Sequence, residues 1–464
     1  MKNSHGIELS KRRSLINAYK NKGCSNLRIV VGNFSDIEIE EKFDIITLIG
    51  VLEYAELYIK SESPYKDFIK RIMQYLKPSG RLLIAIENKM GLKYLNGANE
   101  DHIGKAFSGV NDYVLDSKIR TFSKNEIVDL LASVDVHSIN FYYPMPDYKL
   151  PEVIYSDEHL PLAGDLRYFR CNYDSVRMYL YNEAIVSDQL CKDNIFDYFA
   201  NSFLVEVNSK REGMMYAKYS RDRREEYRVK TVEEMTAEEK IVTKEAINEK
   251  SVEHIYSFVD KGKKLSKEYK NLIVLEGEIK ENKFRYKFLS GERLDRQFYL
   301  LRHDPSEFVN KIKIINKKIY SYNDEYLVPF KITKEFISVF GNQKIENARS
   351  LKYTNVDALY HNMIMHDNSI YLIDYEWVFD FAIPDDYVIW RNIEQLYATY
   401  SMYIKNKVSR NEIEKSLGFS ENKILCYRSM ERNFANYVFG KKGKEIYKMN
   451  YVKNAYSPII NNMY

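Results

Sequence analysis

The sequence predicts an α/β fold with a mainly parallel sheet over its first part, followed by an α+β part in which strands come first and helices later. Three observations predict it. FDIITLIGVL (43–52) is a β-branched, nearly continuous apolar run, which reads as a strand buried on both faces. A helix-periodic segment and a second apolar run follow it, the order of a βαβ unit. From Phe203 onward, short strand-like segments give way to long helical stretches.

Taken in order, LRIVVGNF (27–34) is the first clear strand and FDIITLIGVL the next. In YKDFIKRIMQYL, apolar residues at Tyr65, Phe68, Ile69, Ile72, Met73 and Leu76 mark one helix face. The turn Lys77-Pro78-Ser79-Gly80 is expected to stop that helix, and LLIAIE (82–87) reads as a second buried strand. Ser123 and Glu126 fit a capping box ahead of Ile127, Leu130, Leu131 and Val134. SINFYYPMPDYKLPEVIYSD then reads as two extended segments around a Pro-containing turn. MMYAKYS, EYRVKTVEE and KIVTKEAI look like three short strands, with a helix from about Asn248. NLIVLEGEI and KFRYKFLSGERL supply two more strands. The run KGKKLSKEYK (261–270) is most simply a solvated basic turn.

Composition narrows the function classes. The 464 residues are 45% hydrophobic and 29% charged, which excludes wholesale disorder. Lys+Arg number 70 against 66 Asp+Glu, too small an excess to predict nucleic-acid binding by counterion release. The 40 tyrosines are spread along the whole chain, so they form no stacking platform. Cys24, Cys171, Cys191 and Cys426 lie far apart and read as reduced thiols. The eight histidines include no H-E-x-x-H, and His361 and His366 do not share a helix face. The opening MKNSHGIELSKRRS has no signal-peptide core, and no apolar stretch approaches the roughly 20 residues of a membrane span.

FDIITLIGVLEYA followed by LKPSGRLLIAIEN, with IENKMGLKYLNGANEDHIGKAF, RTFSKNEIVDLL and FYYPMPDYKLP after it, resembles class I S-adenosylmethionine (SAM)-dependent methyltransferases. The resemblance covers about residues 7–160 and is to methyltransferase domains of bacterial surface-polysaccharide clusters. It implies a Rossmann-like domain. Glu8 would hold the cofactor ribose, Asn33 and Phe34 the adenine, and Leu48 to Val51, with Gly50, would line the cleft at the carboxyl end of a strand. Without that resemblance, Glu8 reads as a helix-end residue and LIGVL as core. Only seven residues precede Glu8. The first strand and its Gly-rich turn are therefore expected to be missing, which would leave two neighbouring strands without a partner.

In NVDALYHNMIMHDNSIYLIDYEW, Asp357 and Asn362 are five apart and Asp374 follows twelve later, after the apolar IYLI. This resembles the catalytic and metal-binding segments of protein kinases and of aminoglycoside or choline phosphotransferases. The resemblance implies that Asp357 orients or deprotonates an acceptor hydroxyl while Asn362 and Asp374 bind Mg²⁺. Lys244 would contact ATP phosphates and pair with Glu249 or Glu253. RDRREE stands where that family has a Gly-rich loop, and Asn355 where it has His or Tyr. The simpler alternative is that Asp357 and Asn362 only cap a turn.

The expected organisation is a methyltransferase-like domain over 1–165, a connecting segment over 166–195 and a kinase-like domain over 196–464. The pairing is similar to bifunctional methyltransferase–kinases of surface-polysaccharide clusters. It implies SAM-dependent methylation of a saccharide or sugar phosphate, with a saccharide or lipid-linked glycan as acceptor and glycosyltransferases as partners. The alternatives are an Mg·ATP-dependent saccharide kinase and a non-catalytic scaffold. The placement implied is cytoplasmic, with the inner face of the membrane as the other choice.

Overall fold

The computed structural model describes residues 3–115, 118–136, 138–166, 177, 179–208, 213–345 and 348–453, the backbone alone for 441–453. Cys171 and part of the expected connecting segment lie outside the described residues. The chain forms two compact units. The first comprises 1–151, 155–160 and 193–211, and the second 152–154, 161–192 and 212–464.

In the first unit, β1 (Ser4–Glu8) pairs in parallel with β2 (Leu27–Val31). The helix Lys11–Lys20 connects them, its first turn capped by the Ser10 hydroxyl accepting from the Arg13 N–H. β3 (Phe43–Ile49) pairs in parallel with β4 (Leu76–Glu87). Their crossover is the helix Pro64–Gln74, which starts on a proline as helices often do and buries Phe68, Ile69 and Ile72. After β5 (Ile139–Met145) and β6 (Val153–Ser156), β7 (Ser202–Val207) pairs antiparallel with both β4 and β5. The helix Lys124–Ala132 carries the expected Ser123/Glu126 capping box.

Three expectations are corrected here. The sheet is mixed, not mainly parallel, because β7 runs against both of its neighbours. β7 clusters with the first unit. Lys77–Gly80 is not a turn outside the strand. It is an irregularity within β4, where the register steps from Phe43↔Leu76 to Ile45↔Arg81. The run 43–52 is not buried on both faces: Ile45, Ile49 and Val51 are 44%, 53% and 43% exposed, and only Leu48 is buried within β3. The physical reason lies in pairing. Among the described residues β3 pairs only with β4 and β1 only with β2, so each keeps one edge without a pairing strand.

In the second unit, β8 (Gly213–Tyr219), β9 (Val229–Met235) and β10 (Lys240–Ala246) form an antiparallel meander. It opens on Val153 and Ile154 of β6, which pair with Lys218 and Ala217. β10 continues to β13 (Lys283–Lys287) and then to β12 (Glu278–Lys280), all antiparallel. The helix Val252–Leu265, entered through an Asn248 capping box, packs His254, Ile255 and Phe258 inward. β11 (Leu272–Val274) pairs in parallel with Ser369–Leu372, which forms a hairpin with Met363–His366. The remaining residues are largely helical, with the long helices Pro305–Ile319 and Asp385–Ile404. No helix among the described residues is long and apolar enough to cross a membrane.

Candidate functional site

Two clusters hold the chemistry, one in each unit. In the first unit Glu8 ends β1, Asn33 and Phe34 follow β2, and Leu48 and Gly50 end β3. Each stands at or just beyond the carboxyl end of its strand, the side on which open α/β sheets bind ligands, although β1 and β2 form a sheet separate from that of β3. Glu8 Oε1 accepts from the Ser10 N–H at 2.8 Å. Asn33 caps the short helix Phe34–Asp36 and donates to the Tyr58 carbonyl at 3.4 Å. The Phe34 ring packs edge-on against Phe68 and Tyr75 under the Arg71 guanidinium. Gly50 holds φ +61°, and a Cβ there would stand 2.9 Å from the Tyr148 hydroxyl. Glycine is required at that point both for its conformation and for the space it leaves.

Beyond Gly50 lies a cluster that no sequence signal marked. Glu53, in the short helix Leu52–Tyr54, is 4% exposed, and its Oε2 finds no hydrogen-bond partner among the described residues. Burial, together with the negative charge of Glu87, pushes its pKa up to about 7. Glu87, the last residue of β4, lies 3.4 Å from His102 Nδ1 and accepts from Lys149 Nζ at 2.6 Å. Burial works against its charge, but His102, Lys93 and Lys149 hold Glu87 down at about 2. His102 sits between two carboxylates, with Nε2 at 3.1 Å from Glu100. Burial would lower it, yet Glu100 and Glu87 raise it to about 9, so the ring is an imidazolium at neutral pH. Beneath them Lys93 and Asp147 form a 2.9 Å ion pair with both side chains 1% exposed. Asp147 also accepts from the Lys149 N–H, which aims the next side chain at Glu87. These residues come from the ends of β3, β4 and β5 and from a loop near 100. A single Glu or His in a loop carries no sign of such a meeting.

The second unit brings Lys244, Asp357, Asn362 and Asp374 into one neighbourhood. Lys244 Nζ lies 2.6 Å from Asp374 and 2.8 Å from Glu376. Burial would lower Lys244, but these carboxylates outweigh it and hold the ammonium charged. Glu249 and Glu253, expected to pair with Lys244, are exposed, and Glu376 takes the place they were assigned. The reason is geometric: the helix Val252–Leu265 turns His254 inward, to 3.8 Å from Glu376. The Asp357 N–H donates to Asn355 Oδ1 at 3.0 Å. Asn362 Nδ2 donates to the Asp357 carbonyl, and the Ile373 N–H donates to the Asn362 carbonyl. Those bonds set Asp374 next to Asn362 across the hairpin. Burial pushes Asp357 up to about 6, against the pull of Arg391 at 3.3 Å.

Lys261 is corrected as well. It is no solvated turn residue, because it lies within the helix Val252–Leu265 and donates to the Glu376 carbonyl at 2.5 Å. A cavity of about 320 Å³ opens beside Asn362, lined among others by Asp165, Arg293, Asp295, His361 and Gln395. Arg293 bridges Asp165 and Asp295 at 2.9 Å each. Burial lowers His361 to about 4, so that ring is neutral. No group of three His, Cys, Asp or Glu suited to a metal ion occurs among the described residues. The amide oxygen of Asn362 and the carboxylate of Asp374 are nonetheless the hard oxygen donors Mg²⁺ takes, its other positions going to water and phosphate.

The chain matches no family model and no curated protein. Among solved structures it is similar to the N-methyltransferase NodS from Bradyrhizobium japonicum WM9 in complex with S-adenosyl-L-homocysteine, at 19% identity and a TM-score of 0.17, over 19% of this chain and 43% of that one. It is also similar to a SAM-dependent methyltransferase from Thermotoga maritima, at 13% identity and a TM-score of 0.25, over 45% of this chain and 73% of that one. A third is the mycolic acid cyclopropane synthase CmaA1 complexed with SAH, at 16% identity and a TM-score of 0.22, over 30% of this chain and 49% of that one. The match thus spans less than half the length of the NodS and CmaA1 structures. Likenesses this partial carry no argument about fold or activity.

Proposed function

We propose that the first unit transfers a methyl group from SAM to a hydroxyl of a saccharide or sugar phosphate. The observation that carries this reading is Glu53: a buried carboxyl with an unpartnered oxygen, three residues past Gly50, at the carboxyl ends of β3 and β4. Gly50, with the Tyr148 hydroxyl close against it, takes the left-handed turn that carries the chain from β3 to Glu53. Glu8, Asn33, Phe34 and Leu48 stand at the ends of β1, β2 and β3, where the cofactor's ribose and adenine would be held. SAM, when bound, supplies a methyl group on a sulfonium. Glu53 takes the proton from the acceptor oxygen as that oxygen is methylated. His102 and Lys149 keep Glu87 ionised, and burial, with the field of Glu87 added, keeps Glu53 a usable base near neutral pH.

Calorimetric titration with SAM tests the first step, and micromolar binding is expected. In methyl-transfer assays across pH 5.5 to 8.5, activity is expected to rise through about pH 7, because Glu53 works only when deprotonated. Glu53→Gln should flatten that rise and slow turnover by about 10²–10⁴-fold while SAM still binds. A wild-type pH profile in that variant would remove Glu53 from the role.

A second reading is favoured by the meeting of Lys244, Asp357, Asn362 and Asp374: Mg·ATP-dependent phosphoryl transfer by the second unit. The meander β8–β10 continued by β13 and β12, with the helix Val252–Leu265 against it, supports a kinase-like arrangement. Asp357 would orient the acceptor hydroxyl, Asn362 and Asp374 would hold Mg²⁺, and Lys244 would meet phosphate. The polar cavity beside Asn362 suits a hydroxyl-rich acceptor. Asp357→Ala should abolish ATP-dependent phosphorylation of saccharide acceptors without loss of Mg·ATP binding.

A further inference from the structure

Gly50 brings two polar side chains to one point. A Cβ there would stand 2.9 Å from the Tyr148 hydroxyl and 3.5 Å from Glu53 Oε1, so a phenol from the loop after β5 and a carboxyl from the turn after β3 flank the same small space. Glu53 Oε2 has no hydrogen-bond partner among the described residues, and the half-buried Tyr148 hydroxyl makes no hydrogen bond to them either. Tyr148 is nonetheless firmly placed. Its N–H donates to the Ser202 hydroxyl at 3.0 Å, the Lys149 ammonium lies over its ring at 5.3 Å, and the adjacent Asp147 is tied to Lys93. Burial, with the negative charge of Glu87, raises the phenol above its ordinary value, so it stays protonated and able to donate.

The surroundings narrow what could satisfy this pair. Glu53, Glu87, Glu100 and Asp101 crowd this edge against His102 and Lys149, while Lys93 and Asp147 cancel one another. A phosphate or carboxylate would meet carboxylates in excess, whereas hydroxyl groups meet no such repulsion. One donor and one acceptor without partners match two hydroxyls better than one. An oxygen being methylated attacks through a lone pair, and a donor aimed at that oxygen competes with the attack. On the oxygen of the next carbon, the same donor orients the acceptor and leaves the attacking pair free.

We propose that Glu53 and Tyr148 grip a vicinal diol of the acceptor: Glu53 Oε2 accepts the proton of the hydroxyl that is methylated, and the Tyr148 hydroxyl donates to the oxygen on the adjacent carbon. The site rests on the methyl-transfer reading and narrows its acceptor to a saccharide with two adjacent free hydroxyls, uncharged at the point of contact. The step exchanges an O–H bond for an O–CH₃ bond as the S–CH₃ bond of the sulfonium breaks. The proton passes to Glu53, and Tyr148 keeps its own.

The test is saturation-transfer NMR titration of the full chain with vicinal cis-cyclohexanediol, methyl α-mannopyranoside and cyclohexanol, for the wild type and Tyr148→Phe. The diol and the mannoside should bind the wild type, with cyclohexanol weaker by roughly tenfold, the loss of one hydrogen bond. Tyr148→Phe should weaken the diol and the mannoside by roughly tenfold and leave cyclohexanol and SAM within about twofold. Because the deleted hydroxyl bonds nothing among the described residues, the variant should melt no lower than the wild type. The comparison of diol with cyclohexanol needs no variant at all. A wild type that binds neither, or binds both equally, would overturn the proposal, as would unchanged diol binding in Tyr148→Phe. If the diol binds through Tyr148 while no methyl group is transferred to any saccharide, the diol site stands and the methyl-transfer reading falls. If saccharides are methylated with the pH rise expected of Glu53 while Tyr148→Phe leaves KM and diol binding unchanged, the reading stands and the diol site falls.

Discussion

Glu268 is fully buried in the second unit, where its Oε1 accepts the Tyr353 N–H and its Oε2 has no partner among the described residues. Burial raises its pKa to about 8. A carboxyl whose pKa is higher folded than unfolded contributes stability below the unfolded value, and that contribution is lost as pH rises through the folded value. Between about pH 4.5 and 8 the melting temperature of the wild type should therefore fall more steeply than that of Glu268→Gln. Equal slopes would show that Glu268 is ionised in the folded state. Lys93 and Asp147 pose the opposite case, a fully buried pair in which each charge depends on the other. Lys93→Met leaves Asp147 buried and uncompensated, which should destabilise the first unit by about 3–5 kcal/mol in urea titrations. An exposed pair such as Lys77–Asp44 should contribute less than about 1 kcal/mol.

At the scale of elements, β3 carries the clearest contrast. Leu48 is 7% exposed and Ile49, its neighbour on the other face, 53%. Leu48→Ala should destabilise by about 2–5 kcal/mol and Ile49→Thr by less than about 1 kcal/mol, read from urea midpoints. Comparable losses would mean that a partner covers the open edge in solution. The helix Lys124–Ala132 begins on a reciprocal cap, in which Ser123 accepts from the Glu126 N–H and Glu126 accepts from the Ser123 N–H. Ser123→Ala should lower stability by about 1 kcal/mol. Both this helix and Pro64–Gln74 were legible in the chain, because a cap followed by apolar residues three and four apart is a local pattern. The start of β4 was not: a register step against β3 depends on a strand some 30 residues earlier, which no local window contains.

Over the whole molecule, two compact units with two candidate sites predict two independent ligand responses. At one hundred times its dissociation constant each ligand should stabilise the unit that binds it by about 2.7 kcal/mol. SAM and Mg·ATP added together should then shift melting as the sum of their separate effects. A shift from one that removes the shift from the other would place both ligands in a single unit.

The sequence by itself determined elements that local periodicity writes: the strands Leu27–Val31, Phe43–Ile49 and Lys240–Ala246, the helix Pro64–Gln74, the cap at Ser123, and the spacing of Asp357, Asn362 and Asp374. It also determined that Lys244 stands on a strand ahead of the inward-packed helix Val252–Leu265. Only the tertiary structure decided that β7 joins the first unit and that Lys244 bonds Glu376 in place of Glu249 or Glu253. It alone gathered Glu53, Glu87, His102 and Lys149 at one edge. The reason is common to all of these. An antiparallel neighbour or an ion-pair partner more than a hundred residues away leaves no mark on local spacing, and burial, which sets the charge of Glu53, exists only after the chain has closed around it.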